Sequence, residues 1–382
     1  MEIYGIDHVE MYVGDARQAA FYLGTAFGLQ VHGQGGPETG LADQRSLLLR
    51  ESAVQILLTS GLAADHPAAE YVQRHGDGVA VVGLEVDNTA VAYTTLLARG
   101  ATSLREPVTY TDEQETTVVV AEVAGFGDVI HRLVERHGPR REFMPGVIQI
   151  SEPAAGPDEK LFSEIDHLAI CVPAEQLEPT ARFYEEVFGF NRIFEEYIEV
   201  AGQGMDSKVV QSPSKHVTFT LIEPDLSRRP GQIDDFLQWH AGAGVQHIAL
   251  ATSDIVEAVG TLSSRGVRFL GTPPSYYRAL QDRVGEVETP IEELQKHGIL
   301  VDRDHWGQLL QIFTESMHVR RTLFLEIIER RGAMTFGSGN IKALYEAKER
   351  ELAGAEFPGA ELPGAELSGA ALSGAELSGA EA

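Results

Sequence analysis

The chain has 382 residues, a length that suits two or more domains rather than one small domain. Its hydrophobic content of 43% is enough for sizeable cores, and its formal net charge of −27 argues against nucleic-acid binding because phosphates would be repelled. The single cysteine, Cys171, excludes an intrachain disulfide and a zinc site built on thiolates. With no secretory leader pattern and no uncharged stretch long enough to span a bilayer, we expect a soluble cytoplasmic protein.

Two strand-helix units are predicted in the first half of the chain. Residues 5–9 have an apolar strand pattern, and the helical stretch that follows ends at Gly28. Residues 82–86 form a second predicted strand, followed by a helix that closes at Gly100. Glycine is the usual C-terminal stop of a helix because it tolerates a positive φ. Each unit is therefore a strand, a helix and then several strands.

The second half of the chain repeats this arrangement. Residues 164–168 match residues 5–9, and their helix ends at Gly189, while residues 245–249 precede a helix that closes at Gly266. This self-similarity indicates an internal duplication with four units in all. Such units predict an α+β fold with mixed or antiparallel sheets, in which two units side by side curl into a half-open barrel.

The chain is accordingly divided into four segments. Residues 1–137 are predicted to be one domain and residues 164–352 another, joined by a linker at residues 138–163 that carries Gly, Pro and charge. Residues 353–382 repeat the pattern Gly-Ala-Glu-Leu-Ser, which resembles the pentapeptide-repeat β-helix, but the copies are too few for a self-standing solenoid. Their Gly, Ala and Glu content favours a flexible acidic tail.

Two histidines and one glutamate stand within apolar strands of the C-terminal half: His167, His247 and Glu326. Alternation along a strand places Ala169 and Ala249 on the same faces as the histidines, which leaves room beside each ring. A buried carboxylate without a partner would cost roughly several kcal/mol, and a cation would remove that cost. Although a lone histidine in such a strand is more often a core residue, two histidines and a carboxylate together favour a non-haem Fe(II) site with open positions for substrate and dioxygen.

The first half breaks this pattern. His8 matches His167 in the repeat, but Gly83 falls where His247 falls, and Glu10 replaces the small alanine of the second half. We therefore predict that the N-terminal domain is a structural copy without a metal.

The C-terminal half resembles the 4-hydroxyphenylpyruvate dioxygenase family of the vicinal oxygen chelate superfamily, and residues 1–137 are similar to that family's metal-free N-terminal domain. The motifs that carry the resemblance lie at residues 166–167, 245–249, 309–314, 324–330 and 336–346. The resemblance implies repeated βαβββ modules that form two half-open barrel domains. The tail lies outside it.

By this resemblance, His167, His247 and Glu326 are the catalytic ligands of Fe(II), and a small-molecule 2-oxo acid and dioxygen are the partners. The resemblance also implies polar groups around the substrate, an aromatic wall and a closing helix at residues 339–350. The polar residues are Ser207, Gln232, Gln246 and Gln311, the wall is Phe313, Phe324 and Phe336, and Asn340 stands at the start of the closing helix. A homodimer is also expected.

Two departures from the family's dioxygenases point to a related activity. Where those enzymes have Pro-Leu-Asn on a pocket strand, this chain has Thr220, Leu221 and Ile222, and where they have Gly-Asn-Phe before the closing helix, this chain has Ile341 as the third residue. The changes remove a polar group and part of an aromatic wall, and they resemble the 4-hydroxymandelate synthases of the same family. Thr220, Ile222 and Ile341 are therefore expected to steer the substrate ring.

The expected reaction is oxidative decarboxylation of 4-hydroxyphenylpyruvate with benzylic hydroxylation, giving 4-hydroxymandelate and carbon dioxide. Such a product would suggest a role in the biosynthesis of a peptide antibiotic. One alternative is formation of homogentisate from the same substrate, which would suggest tyrosine breakdown. Another is a protein of the same fold that only binds a small molecule.

Overall fold

The computed structural model describes residues 1–113, 116–138, 142–151, 160–200, 202–337 and 339–343. Each half of the chain builds one curled, mixed β-sheet flanked by helices, which confirms the predicted α+β fold of two half-open barrels. None of the helices within these ranges is both long and apolar enough to cross a membrane.

The N-terminal sheet has nine strands in the order β6-β7-β8-β5-β1-β4-β3-β2-β9. The strands are β1 Ile3–Tyr12, β2 Gln30–Gly35, β3 Gln44–Glu51, β4 Val54–Gly61, β5 Gly78–Val86, β6 Ser103–Thr111, β7 Thr117–Ala124, β8 Ile130–His137 and β9 Gln149–Ile150. The helices are α1 Ala16–Phe27, α2 Pro67–His75 and α3 Thr89–Ala98, with a 3-10 turn at Pro37–Thr39.

The C-terminal sheet has eight strands in the order β11-β12-β13-β10-β14-β17-β16-β15. The strands are β10 Ile165–Cys171, β11 Asn191–Val200, β12 Gln203–Gln211, β13 Thr218–Pro224, β14 Gly244–Ala251, β15 Leu300–Arg303, β16 Gln308–Phe313 and β17 Phe324–Arg331. The helices are α4 Leu177–Phe183, α5 Gln232–His240, α6 Ile255–Ser264, α7 Pro274–Arg278, α8 Leu280–Val284 and α9 Ile291–His297, with a π-helical turn at Tyr184–Phe188.

Both sheets are assembled from two βαβββ modules in the same way. The first strand of each module pairs in parallel with the last strand of that module, as β10 does with β13 and β14 does with β17. The first strands of the two modules pair with each other in antiparallel fashion at the middle of the sheet, as β1 does with β5 and β10 with β14. Strands β10, β14 and β17 are consequently neighbours.

The predicted helix ends are confirmed at four glycines. Gly28, Gly100, Gly189 and Gly266 all have positive φ values, of 82°, 102°, 75° and 91°. At the other end of α1, the side chain of Asp15 accepts hydrogen bonds from the first free backbone N–H groups, a common N-cap. Local capping chemistry therefore fixes where these helices begin and end.

The segment between the domains takes part in the first domain's packing. Strand β9 within it pairs with β2, and Phe143 is fully buried against the N-terminal sheet. Further along, the backbone N–H of Phe162 donates to a carboxylate oxygen of Glu51 at 2.9 Å. Residues 142–151 and 160–163 are thus anchored to ordered structure, whereas residues 152–159 lie outside the described ranges.

The two domains pack against each other through a buried aromatic cluster. The His131 ring of the N-terminal domain lies 2.8 Å, Nε2 to hydroxyl oxygen, from Tyr184 of the C-terminal domain and stacks on Phe219 with ring centroids 5.8 Å apart. A second contact stacks His75 on His240, with centroids 4.4 Å apart. The interface therefore resembles a continuous core rather than a loose hinge.

Candidate metal centre

The three predicted ligands come from the three central strands of the C-terminal sheet. His167 on β10 lies opposite Ala249 on β14, which in turn lies opposite Glu326 on β17. His247 lies opposite Ala169. The small alanines alternate with the ligands across the sheet, so the three side chains have room to converge on one face.

The ligand atoms do converge. The Nε2 atoms of His167 and His247 lie 3.3 and 3.2 Å from the same oxygen, Oε2 of Glu326. All three residues are buried, with exposed fractions of 3%, 8% and 2%. Among the residues that the structure describes, this is the one group of three whose donor atoms are close enough to share a metal ion.

Burial and charge set the protonation of this group. Burial alone disfavours the charged form of His167, but the carboxylates of Glu326 and Asp166 outweigh it and raise the histidine's pKa to about 9. Burial likewise opposes ionisation of Glu326, yet the two imidazoles lower its pKa to about 2. Burial lowers the pKa of His247. The site thus holds a buried negative charge that demands a positive partner, and a divalent cation would displace the proton from His167.

Each histidine is held at its other ring nitrogen by the residue that precedes it. Nδ1–H of His167 donates to Oδ1 of Asp166 at 2.7 Å, and Nδ1–H of His247 donates to Oε1 of Gln246 at 3.3 Å. These contacts favour the tautomer in which Nε2 carries the free lone pair of a metal ligand. This role of Asp166 was not predicted from the sequence, although the repeated Asp-His pair of the two halves was a visible signal.

Arg330 connects this ligand support to the end of the domain. Its guanidinium donates to both oxygens of Asp166, at 2.7 and 2.8 Å, and to the backbone carbonyl of Thr335 at 2.7 Å. It also lies over the ring of Phe336, 5.0 Å from the centroid, and that ring packs edge-on against His167. The chain that follows β17 is therefore fixed relative to the metal ligands.

A cavity with largely apolar walls adjoins the three ligands, which form part of its lining. Seven of the other predicted site residues also line it: Ser207, Thr220, Ile222, Gln311, Phe313, Phe336 and Ile341. The side-chain oxygens of Thr220 and Gln311 are buried there, and neither has a hydrogen-bond partner among the described residues. Such atoms would gain from a bound molecule that offers hydrogen-bond donors.

Comparison with known proteins agrees with this architecture. Models of the Glyoxalase/Bleomycin resistance protein/Dioxygenase superfamily match residues 7–119 and 164–312, and a model of pentapeptide repeats matches residues 351–381 in eight copies. The chain is 33% identical over 379 residues to 4-hydroxyphenylpyruvate dioxygenase of Pyricularia oryzae, covering 92% of this chain and 90% of the relative. The chain belongs to the 4-hydroxyphenylpyruvate dioxygenase family. Its fold is thus the vicinal oxygen chelate fold, as predicted.

Two further members of the family show how far the similarity extends. The dioxygenase of Dictyostelium discoideum is 34% identical, over 91% of this chain and 98% of its own length. A solved structure of a triple mutant of 4-hydroxymandelate synthase from Streptomyces coelicolor is 41% identical and superposes with a TM-score of 0.83, covering 92% of this chain and 100% of that one. Both kinds of enzyme therefore match over both domains.

Four residues expected at the family's substrate pocket do not line this cavity. Gln232, Gln246 and Phe324 line a separate cavity beside α5, although the Phe324 ring also stacks on His247 with centroids 5.1 Å apart. Asn340 is fully buried, and its side-chain oxygen accepts a 2.6 Å hydrogen bond from the Tyr276 hydroxyl. Asn340 thus anchors the start of the last helix. Residues 344–350 of the expected closing helix lie outside the described ranges.

Five residues that form one wall of the cavity were not predicted from the sequence. Strands β11 and β12 contribute Phe194, Glu196, Ile198, Met205 and Val209. On β11 these side chains occur at every second position, which is the signature of one strand face. That alternation was present in the sequence, but no motif of the family marked it.

The pairing register of the N-terminal domain corrects the expected repeat alignment. In the N-terminal sheet His8 lies opposite Gly83, just as His167 lies opposite Ala249 in the C-terminal sheet. The place of His247 is therefore taken by Val81 and not, as expected, by Gly83. The expected alignment of the two halves was therefore two residues out of register. The sequence agrees with the pairing of Gly83 with Ala249, because both residues lie the same distance before the glycine that ends the next helix.

An arginine fills the centre of the N-terminal domain. Arg132 on β8 lies opposite Gly83 on β5. This is the position that Glu326 occupies in the C-terminal sheet. Its Nη1 donates to Oε2 of Glu10 at 2.7 Å and lies 3.2 Å from Nε2 of His8, while its Nε donates to Glu122 at 2.8 Å. A guanidinium thus stands in the N-terminal domain where the C-terminal domain brings together its candidate metal ligands.

Proposed function

We propose that this protein is an Fe(II)- and dioxygen-dependent enzyme that converts 4-hydroxyphenylpyruvate into 4-hydroxymandelate and carbon dioxide. The observation that carries the proposal is the buried group of His167, His247 and Glu326 at the wall of a largely apolar cavity. Two imidazoles and one carboxylate fit a ferrous ion, because they bind one side of it and leave the rest of its coordination sphere open.

The residues present suit that ion in charge as well as in type. The negative charge of Glu326 is buried, and the supporting hydrogen bonds on His167 and His247 leave their Nε2 atoms directed at it. A ferrous ion bound here would supply coordination positions for a 2-oxo acid and for dioxygen, and the electrons that begin dioxygen reduction. The remaining chemistry depends on how the chain orients the substrate.

The cavity walls perform that orientation. Phe313 and Phe336 provide flat apolar surfaces that exclude water and suit an aromatic ring. Gln311 offers a buried side-chain oxygen without a partner in the described part of the chain, ready to accept a hydrogen bond. Ile222 and Ile341 lie on the same cavity wall and pack in one apolar cluster, so together they limit where the ring can lie.

Ring position decides between the family's two products. A ring position that exposes the benzylic carbon to oxidation would give 4-hydroxymandelate, and one that exposes a ring carbon would give homogentisate. A displacement of about 1 Å is enough to change rates by orders of magnitude. The apolar side chains of Ile222 and Ile341, which stand where the family's dioxygenases have Asn and Phe, support the first outcome, as does the 41% identity to a mandelate synthase.

The second candidate is homogentisate formation. It is favoured by the curated relatives, which are 4-hydroxyphenylpyruvate dioxygenases at 33–34% identity over more than nine-tenths of this chain. A third candidate, binding of a small molecule without catalysis, uses the same cavity. All three predict affinity for an aromatic 2-oxo acid and differ in what becomes of it.

Oxygen consumption and product analysis separate these candidates. The purified chain, loaded anaerobically with ferrous iron, is mixed with 4-hydroxyphenylpyruvate and air-saturated buffer, and the products are identified by mass spectrometry. We expect oxygen uptake with 4-hydroxymandelate as the main product. Homogentisate as the main product would overturn the proposed reaction in favour of the dioxygenase, and binding without oxygen uptake would favour a non-catalytic role.

A further inference from the structure

Glu196 places a carboxylate in the wall of the cavity. It lies on the edge strand β11, between Phe194 and Ile198 on the same face, and all three line the cavity. Its Oε2 atom is buried and has no hydrogen-bond partner among the described residues. A buried polar oxygen of this kind is destabilising by about 1–3 kcal/mol unless something donates to it.

Among the cavity-lining residues that the structure describes, Glu196 is the one ionisable group outside the metal ligands. The rest of the lining near it is apolar or carries neutral polar groups, such as Met205 and Ser207. A carboxylate accepts hydrogen bonds strongly and donates none when ionised. The occupant of this part of the cavity is therefore expected to carry a hydrogen-bond donor.

The sheet topology puts Glu196 away from the metal ligands. Strand β11 is separated from β14, which carries His247, by β12, β13 and β10. In register, Glu196 lies beside Ser207 of β12, which lies beside Ile222 of β13. Four strand spacings amount to about 19 Å along the sheet. Glu196 nevertheless lines the same cavity as His167, His247 and Glu326, so the curl of the sheet brings this strand and the ligand-bearing strands around a single bound molecule.

We infer that Glu196 determines specificity by accepting a hydrogen bond from the ring hydroxyl of a bound aromatic 2-oxo acid. The 2-oxo acid end of such a molecule belongs at the metal ligands, and its ring passes between the apolar side chains. The hydroxyl at the far end is the donor that satisfies Oε2. Phenylpyruvate, which lacks this hydroxyl, leaves Oε2 of Glu196 without a donor. The class of substrate in this inference rests on the proposed function.

The neighbouring residue provides a matched control. Glu195 points to the opposite face of β11, is exposed, and forms a 2.7 Å ion pair with Lys208. Replacing either residue by glutamine removes the same charge from the same strand. Only the change at Glu196 alters the cavity.

The experiment compares 4-hydroxyphenylpyruvate with phenylpyruvate on the full iron-loaded chain. Wild type, Glu196→Leu, Glu196→Gln and Glu195→Gln are each assayed for kcat/KM by oxygen uptake and, under anaerobic conditions, for Kd by calorimetric titration. Using the ratio between the two compounds within one variant cancels any loss of folded or iron-loaded protein. In the wild type we expect the hydroxylated compound to be preferred by about tenfold or more.

Glu196→Leu is expected to reduce this preference to near unity, mostly by weakening binding of the hydroxylated compound. Glu196→Gln should retain part of it, because the amide oxygen still accepts a hydrogen bond, and Glu195→Gln should retain all of it. An unchanged preference in Glu196→Leu would overturn the inference. The binding arm is independent of turnover, so absence of oxygen uptake would overturn the proposed function while leaving the test of Glu196 intact.

Discussion

The two domains share one side-chain motif and differ in the group at its centre. In the N-terminal domain Arg136 donates to both oxygens of Asp7, at 2.6 and 2.7 Å, and in the C-terminal domain Arg330 binds Asp166 in the same way. Each aspartate also accepts a 2.7 Å hydrogen bond from the histidine that follows it, and each guanidinium lies over a phenylalanine ring. The motif is therefore a property of the fold and does not by itself make a metal site.

What differs is the source of the positive charge. In the N-terminal domain, the guanidinium of Arg132 supplies a cation and forms ion pairs with both Glu10 and Glu122. In the C-terminal domain, Glu326 reverses the charge at that position and faces two histidines. The comparison indicates that a few substitutions around a common frame separate a core that carries its own cation from a group of side chains that could hold a metal ion.

The largest effect on iron binding and on activity is expected from Glu326→Gln. Without the carboxylate the site loses its negative charge and one of three ligands, so bound iron and oxygen uptake should each fall by at least about 100-fold. Metal analysis and oxygen electrode assays provide the measurement, with the exposed Glu315→Gln as control. Retention of full iron content by Glu326→Gln would show that the ion is held elsewhere.

In the N-terminal domain, the corresponding test removes the cation at the equivalent position. Arg132→Met leaves the buried Glu10 and the half-buried Glu122 without their cation, and the free energy of unfolding is expected to fall by about 3–5 kcal/mol. Iron content per folded molecule should not change, since this domain holds no ligand of the site. Chemical denaturation measures the first effect, with the exposed Arg105→Met as control. A loss no larger than that of the control would mean that the guanidinium does not stabilise this core.

The shared aspartates sharpen the comparison further. Asp166→Asn weakens the support of His167 and the pairing with Arg330, and iron affinity is expected to fall by about 10–100-fold. Asp7→Asn alters the equivalent contacts in the other domain and should leave iron affinity unchanged. Iron titration of both variants measures these affinities. An equal loss of iron affinity in the two variants would contradict a local role for Asp166.

The domain interface predicts a dependence of stability on pH. Burial lowers the pKa of His131 to about 3, below its value of about 6.5 in an unfolded chain. The unfolded state therefore binds a proton first as pH falls, so this contribution to stability is complete above about pH 6.5 and is lost progressively toward pH 3. Between pH 7 and pH 5 we expect a loss of about 1–2 kcal/mol, measured by denaturation.

His131→Leu, which copies Leu325 at the equivalent position of the other domain, should reduce this pH dependence. The exposed His216→Leu should not. If the two variants and the wild type all lost stability equally between pH 7 and pH 5, then protonation of His131 would not be the cause.

The smallest change in energy is expected for the choice of product. Replacing Ile222 by Asn and Ile341 by Phe restores the residues that the family's dioxygenases have at these positions. We expect the share of homogentisate among the products to rise by about tenfold, an energy difference of about 1.4 kcal/mol between two competing pathways. Product ratios by mass spectrometry provide the test, and unchanged ratios would mean that these two residues do not steer the ring.

Much of the fold was predictable because its signals are local. Helix ends were marked by glycines such as Gly28 and Gly266, and the alternation around His167, His247 and Glu326 placed each ligand on one strand face. The alignment of strand β5 with strand β14 was predicted wrongly. A short repeat such as residues 82–86 aligns equally well at two offsets, and only the pairing of strands distinguishes Val81 from Gly83 as the counterpart of a metal ligand.

The site was predictable where a residue acts alone and less so where it acts through a neighbour. The role of Asp166 was not predicted because alternation places its side chain on the opposite strand face from His167, yet it reaches the ring of that adjacent histidine. Asn340 was expected at the substrate, but its side chain contacts Tyr276 and so holds the helical residues 339–343 in place. Glu196 lies on an edge strand whose place in the cavity depends on the curl of the whole sheet.

Anomalous diffraction from crystals soaked anaerobically with ferrous iron would show directly which atoms hold the ion. A single iron peak is expected in the C-terminal domain, about 2.1 Å from Nε2 of His167, Nε2 of His247 and a carboxylate oxygen of Glu326, with none beside Arg132. An iron peak bound by other residues, or none at these three in crystals of otherwise active protein, would contradict the account.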